Sequence, residues 1–262
     1  MVQKNVKFNA FMDRGKKLYK EGRFDDAISF YNKAMSISSS YTVLNALGGI
    51  YSTLGQFDLS ALYFMDSLKN NPSYAYAYNN LGNSFRKQQI LSKAIEHYKK
   101  GLELNSSCGE IYYNLAGSLY EKRELEEALS CCLRALEFMG EDVRVYNLMG
   151  LIYLEKNKSF RALESLKKAI HLAPDNFIPY LYSGKVFHKD KLFENAMENY
   201  KKALSLGKGE AYIYKCIGDL YNDLGNFKQA NRYYERSIEL KMGEGSLRAE
   251  SSRISYIEAI YD

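Results

Sequence analysis

The chain has 262 residues, of which 46% are hydrophobic and 26% are charged, and this composition is that of an ordinary globular protein rather than a disordered one. Its net charge of +5 is modest and uneven, because the segment up to Ser40 carries about +4 whereas residues 109–142 carry about −5. A nucleic-acid surface needs a continuous basic stripe to collect phosphates. No such stripe is visible, so no nucleic-acid partner is expected.

The cysteines and the N-terminal segment bear on the compartment. The four cysteines lack CxxC spacing, which predicts reduced, packed thiols of the kind found in cytoplasmic proteins. They are Cys108, Cys131, Cys132 and Cys216. Residues 1–17 are basic but lack the apolar centre of a signal peptide, and no run of 18 apolar residues occurs, so neither secretion nor a membrane span is expected. We therefore expect a cytoplasmic protein.

A pattern of small and aromatic residues returns about every 34 residues along almost the whole chain. Three separate columns carry this period. The glycine column is Gly15, Gly48, Gly82, Gly150, Gly184 and Gly218, the alanine column is Ala27, Ala94, Ala128, Ala162, Ala196 and Ala230, and the tyrosine column is Tyr78, Tyr112, Tyr146, Tyr180 and Tyr214. Ala116 takes the place of one glycine in the glycine column, and Ser60 takes the place of one alanine in the alanine column. The period predicts stacked units that bury their apolar faces against their neighbours.

Each copy contains two stretches of helical periodicity. In residues 143–176, apolar residues follow steps of three and four on either side of a polar break at residues 155–159. This pattern predicts two antiparallel helices, A and B, of roughly 13 residues each, and residues 246–261 predict one further helix that covers the last repeat. The predicted organisation is a short tail at 1–7, seven repeats at 8–40, 41–74, 75–108, 109–142, 143–176, 177–210 and 211–244, and a capping helix at 245–262.

The glycines occupy two kinds of position. One kind lies in the middle of helix A, where glycine costs about 1 kcal/mol relative to alanine, and its return there predicts that another backbone crosses closely, with the alanine column as its counterpart. The other kind lies in the break between the helices, as Gly22, Gly55 and Gly225 do, where a helix C-terminus turns through positive φ.

The columns resemble the motif of the tetratricopeptide repeat family. The seventh copy carries the motif well, and the resemblance spans residues 8 to about 244. Its matching residues are Tyr214, Ile217, Gly218, Tyr221, Gly225, Phe227, Ala230 and Tyr234. The resemblance implies an all-α, right-handed superhelical solenoid of antiparallel helix pairs, in which helices A line a concave groove that binds peptides or proteins. Because one fold carries many roles, the function has to be argued from the groove residues.

The groove positions of the middle copies are rich in asparagine, whose amide both donates and accepts hydrogen bonds. A column of asparagines could hold the backbone of an extended peptide, with basic residues binding its carboxylates; ordinary usage of asparagine in this family is the alternative explanation. The candidate peptide-binding residues are Asn45, Asn79, Asn80, Asn83, Arg86, Lys87, Tyr113, Asn114, Arg144 and Asn147. The clamp for C-terminal carboxylates found in similar co-chaperones is not reproduced in any three consecutive copies.

The fifth and sixth copies differ, because apolar residues occupy their inward positions. This apolar patch comprises Leu148, Leu151, Leu154, Ile178, Leu181 and Tyr182. Two explanations stay open: the patch seats an amphipathic helix of a partner, or neighbouring repeats bury these side chains against each other.

No motif predicts catalysis or a cofactor. His97, His171 and His188 lie in separate copies without the HxxxH or HExxH spacing of a metal site, and no phosphate-binding loop or nucleophile motif occurs. The sequence therefore predicts a non-catalytic scaffold or adaptor that binds a peptide or helical segment of another protein. Two alternatives remain, a solenoid whose role is self-assembly and, less favoured, an RNA-binding helical-repeat protein.

Overall fold

The computed structural model describes residues 2–207 and 210–248, and these residues form α-helices joined by short turns. Each predicted repeat contributes a helix A, given an odd number here, and a helix B, given an even number. Within the described ranges the helices are α1 Val2–Lys20, α2 Phe24–Ile37, α3 Tyr41–Thr53, α4 Phe57–Asn70, α5 Ala75–Lys87, α6 Leu91–Leu104, α7 Gly109–Glu121, α8 Leu125–Met139, α9 Val143–Glu155, α10 Ser159–Leu172, α11 Phe177–Lys189, α12 Phe193–Leu206, α13 Ala211–Asp223 and α14 Phe227–Arg248.

The helices fall into two compact units, whose described parts are residues 2–122 and residues 123–207 with 210–248. In the first unit α1 packs on α2, α3 on α4 and α5 on α6, and each helix B also contacts the following helix A. In the second unit α9 packs on α10, α11 on α12 and α13 on α14, again with contacts from each helix B to the next helix A. The fold is therefore an all-helical array of paired antiparallel helices.

The two ends of the array extend beyond the predicted repeat boundaries. Helix α1 begins at Val2, so residues 2–7, predicted as a tail, continue the first helix A. Helix α14 runs without a break to Arg248, past the predicted boundary at residue 244. Most of the predicted capping helix, residues 249–262, lies outside the described residues. None of the described helices is long and apolar enough to cross a bilayer.

The glycine column is required by side chains rather than by a crossing backbone. A Cβ built on Gly82 would lie 2.6 Å from Cε1 of Tyr98, and one on Gly184 would lie 2.5 Å from the ring of Tyr200. In each case the large residue lies 16 positions later, on helix B of the same pair. The full set is Gly15 with Tyr31, Gly48 with Phe64, Gly82 with Tyr98, Gly150 with Leu166, Gly184 with Tyr200 and Gly218 with Tyr234. The prediction that another backbone crosses closely at these glycines is therefore wrong, because the close neighbour is a side chain of helix B.

The alanine column is buried, with exposed fractions of 0 or 1% throughout. Ser60, which replaces one alanine, is also fully buried, and its hydroxyl donates to the Gly48 carbonyl oxygen at 2.9 Å. A second contact of 2.9 Å joins the Ser60 and Ser84 hydroxyls. A buried hydroxyl without a partner would destabilise the fold, and these bonds remove that cost.

The turn between helices A and B has positive φ in every repeat, with or without glycine. Gly22, Gly55 and Gly225 have φ of 72–74°, as the sequence predicted. The other four repeats place a side chain there, although left-handed backbone costs such residues roughly 1–2 kcal/mol. These residues are Gln89, Arg123, Asn157 and Lys191, with φ of 55–67°.

Two of the four cysteines are core residues. Cys132 is fully buried and Cys216 is 5% exposed. Burial raises the pKa of the Cys132 thiol, and it raises the pKa of Cys216 to about 12. Both side chains are therefore protonated at neutral pH and act as small apolar groups.

Candidate functional site

Within each unit, helices A contact one another and form one side of the unit, which is called the inward face here. In the first unit α5 contacts both α3 and α7, and in the second unit α11 contacts both α9 and α13. Side chains on the inner side of one helix A can therefore reach those of the next. This arrangement positions the candidate site residues.

In the first unit the candidate asparagines bind each other. The Asn114 amide nitrogen Nδ2 donates to Asn79 Oδ1 at 2.9 Å, and the Asn80 Nδ2 donates to Asn45 Oδ1 at 3.3 Å. Asn79 and Asn114 are each only 8% exposed, whereas Asn45 and Asn80 are half-buried. Both bonds join residues 35 positions apart, one more than the repeat, so they connect consecutive helices A. The amide column is therefore at least partly an internal structural feature.

Arg86 is held by a carboxylate of this chain. Its Nε donates to Glu121 Oε1 at 2.9 Å, and its Nη2 donates to the same oxygen. The guanidinium lies against Gly117, where a Cβ would come within 2.9 Å of Nη2. Burial disfavours the charge, but the hydrogen bond and negative charge of Glu121 outweigh it and raise the pKa of Arg86. Beside it, burial and the Arg86 charge lower the pKa of Lys87.

Two further residues of the predicted site lie on the same face of the first unit. Asn83 accepts a hydrogen bond of 2.6 Å from the Tyr98 hydroxyl, whose ring lies on Gly82. Burial raises the pKa of Tyr98, so the hydroxyl is a permanent donor. Tyr113, on α7, is half-buried. The polar face of the first unit thus carries separate side-chain pairs that join α3 to α5 and α5 to α7.

In the second unit Arg144 is also paired within the chain. Asp142, the N-cap residue of α9, accepts from the Arg144 backbone N–H at 2.7 Å and from its Nη2 at 2.9 Å. Burial would raise the pKa of Asp142, but the hydrogen bonds and charge of Arg144 lower it. The structure pairs both Arg86 and Arg144 with a carboxylate of the same chain. Their binding of a partner's carboxylate, expected from the sequence, stays a prediction.

The apolar patch of the second unit is closed. Leu181 is 0% and Tyr182 is 1% exposed, and the three leucines of α9 are 7–9% exposed. Those leucines are Leu148, Leu151 and Leu154. Ile178 is half-buried. Because α9 and α11 contact each other, this burial favours packing between neighbouring repeats over an open surface for a partner helix.

Three residues that the sequence did not single out as site residues lie on the inward face of the second unit. The Lys185 ammonium donates to the Tyr212 hydroxyl at 3.0 Å, and its Nζ is 5.4 Å from the centre of the Tyr212 ring. Lys189 donates to the Leu154 carbonyl oxygen at 2.9 Å. The last bond again joins residues 35 apart, and this spacing is the signal that could have found it.

The described residues contain no group of three or more histidine, cysteine or acidic side chains placed to hold a metal ion. His97 lies between the rings of Tyr78 and Phe85, with ring centres 6.1 Å and 5.3 Å away, and burial lowers its pKa. His188 contacts Asp223 through Nε2 at 3.0 Å. These contacts account for both histidines as packing residues.

Comparison with known proteins identifies the family. Three sequence profiles, each described as tetratricopeptide repeat, match residues 75–108, residues 92–141, and residues 9–41, 41–74, 143–176 and 217–241. The chain belongs to the tetratricopeptide repeat family. A solved tetratricopeptide repeat protein from Parabacteroides merdae superimposes with a TM-score of 0.78 at 14% identity, over 93% of this chain and 97% of that one.

Two further relatives are more limited in what they share. The Pseudomonas aeruginosa pilF structure superimposes with a TM-score of 0.64 at 24% identity, covering 80% of this chain and 97% of that one. Heat shock protein STI1 of Saccharomyces cerevisiae is 30% identical over 95 residues, which are 34% of this chain and 16% of STI1. This chain thus matches only a small part of STI1. The two solved structures share the fold of this chain.

Proposed function

We propose that this tetratricopeptide repeat protein is a non-catalytic scaffold or adaptor that binds a peptide or helical segment of a partner protein on the inward face of helices A. Proteins of this family are generally non-catalytic scaffolds. The observation that carries the proposal is the row of amides on α3, α5 and α7, where each bond leaves further donors and acceptors on the same side chains. An extended peptide backbone needs such paired donors and acceptors.

The partner is a protein rather than a nucleic acid in this proposal. Arg86 on α5 and Arg144 on α9 are neutralised by Glu121 and Asp142, so they are poorly placed to collect phosphates. A clamp for C-terminal carboxylates is not part of the proposal, since Met12, Ala46 and Tyr76 occupy three of its places. The four cysteines are all free thiols, which supports a cytoplasmic location.

The test is capture of partners from a lysate of the source organism by the immobilised full chain. The groove variant is Asn45→Ala with Asn80→Ala, which removes both members of one pair and leaves no orphaned amide. The matched control is Glu103→Ala with Lys201→Ala, two exposed residues of helices B. We expect the groove variant alone to lose specific proteins; equal capture by both variants would contradict the proposal.

Self-assembly is a second candidate, supported by an apolar stripe on α4. Leu59, Leu62 and Met65 recur at steps of three and are 41, 46 and 39% exposed. Contiguous exposed apolar residues mark interfaces more often than scattered ones do. Sedimentation equilibrium decides between the candidates: a dimer that Leu62→Glu dissociates would favour self-assembly, and a monomer at micromolar concentration would exclude it.

A further inference from the structure

The apolar stripe of α4 is not repeated on the other helices B. At the positions that match Leu59 and Met65, those helices carry polar or charged side chains, with Leu133 on α8 as the exception. At the position of Leu62 they carry Ser29, Glu96, Ser130, Glu164, Glu198 and Arg232. The repeat therefore folds with polar side chains at these positions, and packing within the chain does not explain why α4 has apolar ones.

The apolar side chains of α4 lie between two opposite charges. Asp58 lies in the first turn of α4 and Lys69 in its last turn, and both are exposed. Among the helices B that the structure describes, α4 alone combines an acidic first turn with a basic last turn. Lys69 pairs with Asp66 of its own helix at 2.7 Å, and its exposed ammonium keeps donors for a second carboxylate.

The outermost residues of α4 follow the spacing of a helix that packs on another helix. Steps of four, three and four lead through them, as in the contact line of a coiled coil. These residues form what we call the outward seam: Asp58, Leu62, Met65 and Lys69. All four side chains are exposed, so the seam is open to a second helix.

The outward seam is complementary to itself when two copies run antiparallel. About a twofold axis between Leu62 and Met65, each Leu62 meets the Met65 of the other copy, and each Asp58 meets the other copy's Lys69. Such an isologous contact forms two identical ion pairs around an apolar centre. It also places the N-terminus of each α4 beside the C-terminus of the other, which the helix dipoles favour. A parallel contact would instead place like charges together.

We propose that two copies of this chain associate through antiparallel packing of their α4 helices along the outward seam. The inference deepens the self-assembly candidate, on which it rests, by naming its interface and symmetry. Because α4 is a helix B, the contact leaves the inward face of both copies free. The seam is about three turns long, so the interface is smaller than the roughly 800 Å² per partner of a stable dimer. A reversible dimer with a micromolar dissociation constant is expected.

Sedimentation equilibrium of the full chain across the micromolar range tests the apolar centre. Leu62→Glu should weaken dimerisation about tenfold or more, because it places a charge in the apolar contact. The fold accepts this residue, since exposed glutamates occupy the same position on α6, α10 and α12 as Glu96, Glu164 and Glu198. Leu133→Glu is the matched control on α8, where the leucine is 53% exposed, and it should leave the dimer unchanged.

Charge reversal tests the antiparallel orientation. Asp58→Lys and Lys69→Asp each place like charges together at both ends of the seam, so each variant alone should dimerise about fivefold or more weakly. An equimolar mixture of the two variants restores opposite charges at both ends and should dimerise nearly as well as wild type. Raising the salt concentration should reduce these differences. Circular dichroism of each variant checks that its helix content is that of wild type.

The outcomes separate the proposals. A wild-type chain that stays monomeric across the micromolar range overturns both the dimer and the self-assembly candidate. A dimer that Leu62→Glu leaves intact shows that another surface associates, so the interface is wrong while self-assembly survives. Single charge reversals without effect, or a mixture that does not recover, contradict the antiparallel pairing. The lysate capture assay tests binding on the inward face separately, so failure of one proposal does not imply failure of the other.

Discussion

The adjacent glycines of α3 offer a sharp test of how the helix pairs pack. Gly48 and Gly49 lie in the same helix and undergo the same chemical change when each is replaced by alanine. A Cβ on Gly48 would lie 2.7 Å from Cε1 of Phe64, whereas a Cβ on Gly49 would meet nothing within 4 Å. The two substitutions should therefore have opposite signs.

The magnitudes follow from two opposing effects. Alanine is favoured over glycine inside a helix by about 1 kcal/mol, and this gain applies at both positions. At Gly48 it is outweighed by overpacking, which costs roughly 1–3 kcal/mol, because Phe64 is only 1% exposed and has no room to retreat. We expect Gly49→Ala to stabilise by about 0.5–1 kcal/mol and Gly48→Ala to destabilise by about 1–2 kcal/mol.

The assay is urea unfolding of the full chain, followed by circular dichroism at 222 nm, with wild type measured alongside both variants. A difference of about 1.5–3 kcal/mol between the two variants is expected from the preceding effects. If both variants shift the midpoint in the same direction, or if Gly48→Ala matches wild type, then the ring does not lie on the glycine and the packing argument is refuted.

Three further predictions concern the ion pair, the turns and the buried histidine. Arg86→Met alone should lower the free energy of unfolding by about 3 kcal/mol, because it leaves the Glu121 charge unpaired. Arg86→Met together with Glu121→Leu should lower it by less than about 1 kcal/mol. If urea unfolding shows that the effects of the two single substitutions add, the pairing is contradicted. Lys191→Gly should stabilise by about 1 kcal/mol, because its φ is 59°, and Gly225→Ala should destabilise by about as much, both read as thermal midpoints. The pKa of His97 is lowered in the folded state, so the contribution of this histidine to the free energy of unfolding is complete above the unfolded pKa, which is near 6.5. Below that pH the contribution falls by at most about 1.4 kcal/mol per pH unit until the folded pKa is reached. His97→Phe should abolish this dependence in urea titrations at several pH values.

The fold was predictable because its determinants are local and repeated. Columns at a period of 34 fix the helix pairs, and the steps of three and four fix which side of each helix is buried. Turn glycines such as Gly55 were recognisable from residue type, but the left-handed residues Gln89 and Lys191 were not, since any residue can be forced there by the helices on either side.

The contacts across the inward face were harder to predict. Sequence periodicity placed Asn79 and Asn114 on that face, but whether they touch depends on how far one helix A slides along the next. That stagger is set by tertiary packing and gives the spacing of 35. The same stagger pairs Arg86 with Glu121, a partner that no local pattern indicates.

The apolar patch shows a different limit. Leu181 and Tyr182 were predicted to lie at inward positions, but periodicity cannot tell an exposed inward position from one covered by the neighbouring repeat. Their exposed fractions of 0 and 1% come from the contact of α9 with α11.

Hydrogen–deuterium exchange of the full chain, with and without a saturating peptide from a captured partner, is the most direct test of the claim that helices A bind a partner segment. The account predicts slower exchange in α9, α11 and α13, or in α3, α5 and α7, with unchanged exchange on α4, α6, α10 and α12. Protection confined to those helices B would contradict the account and assign binding to the opposite face.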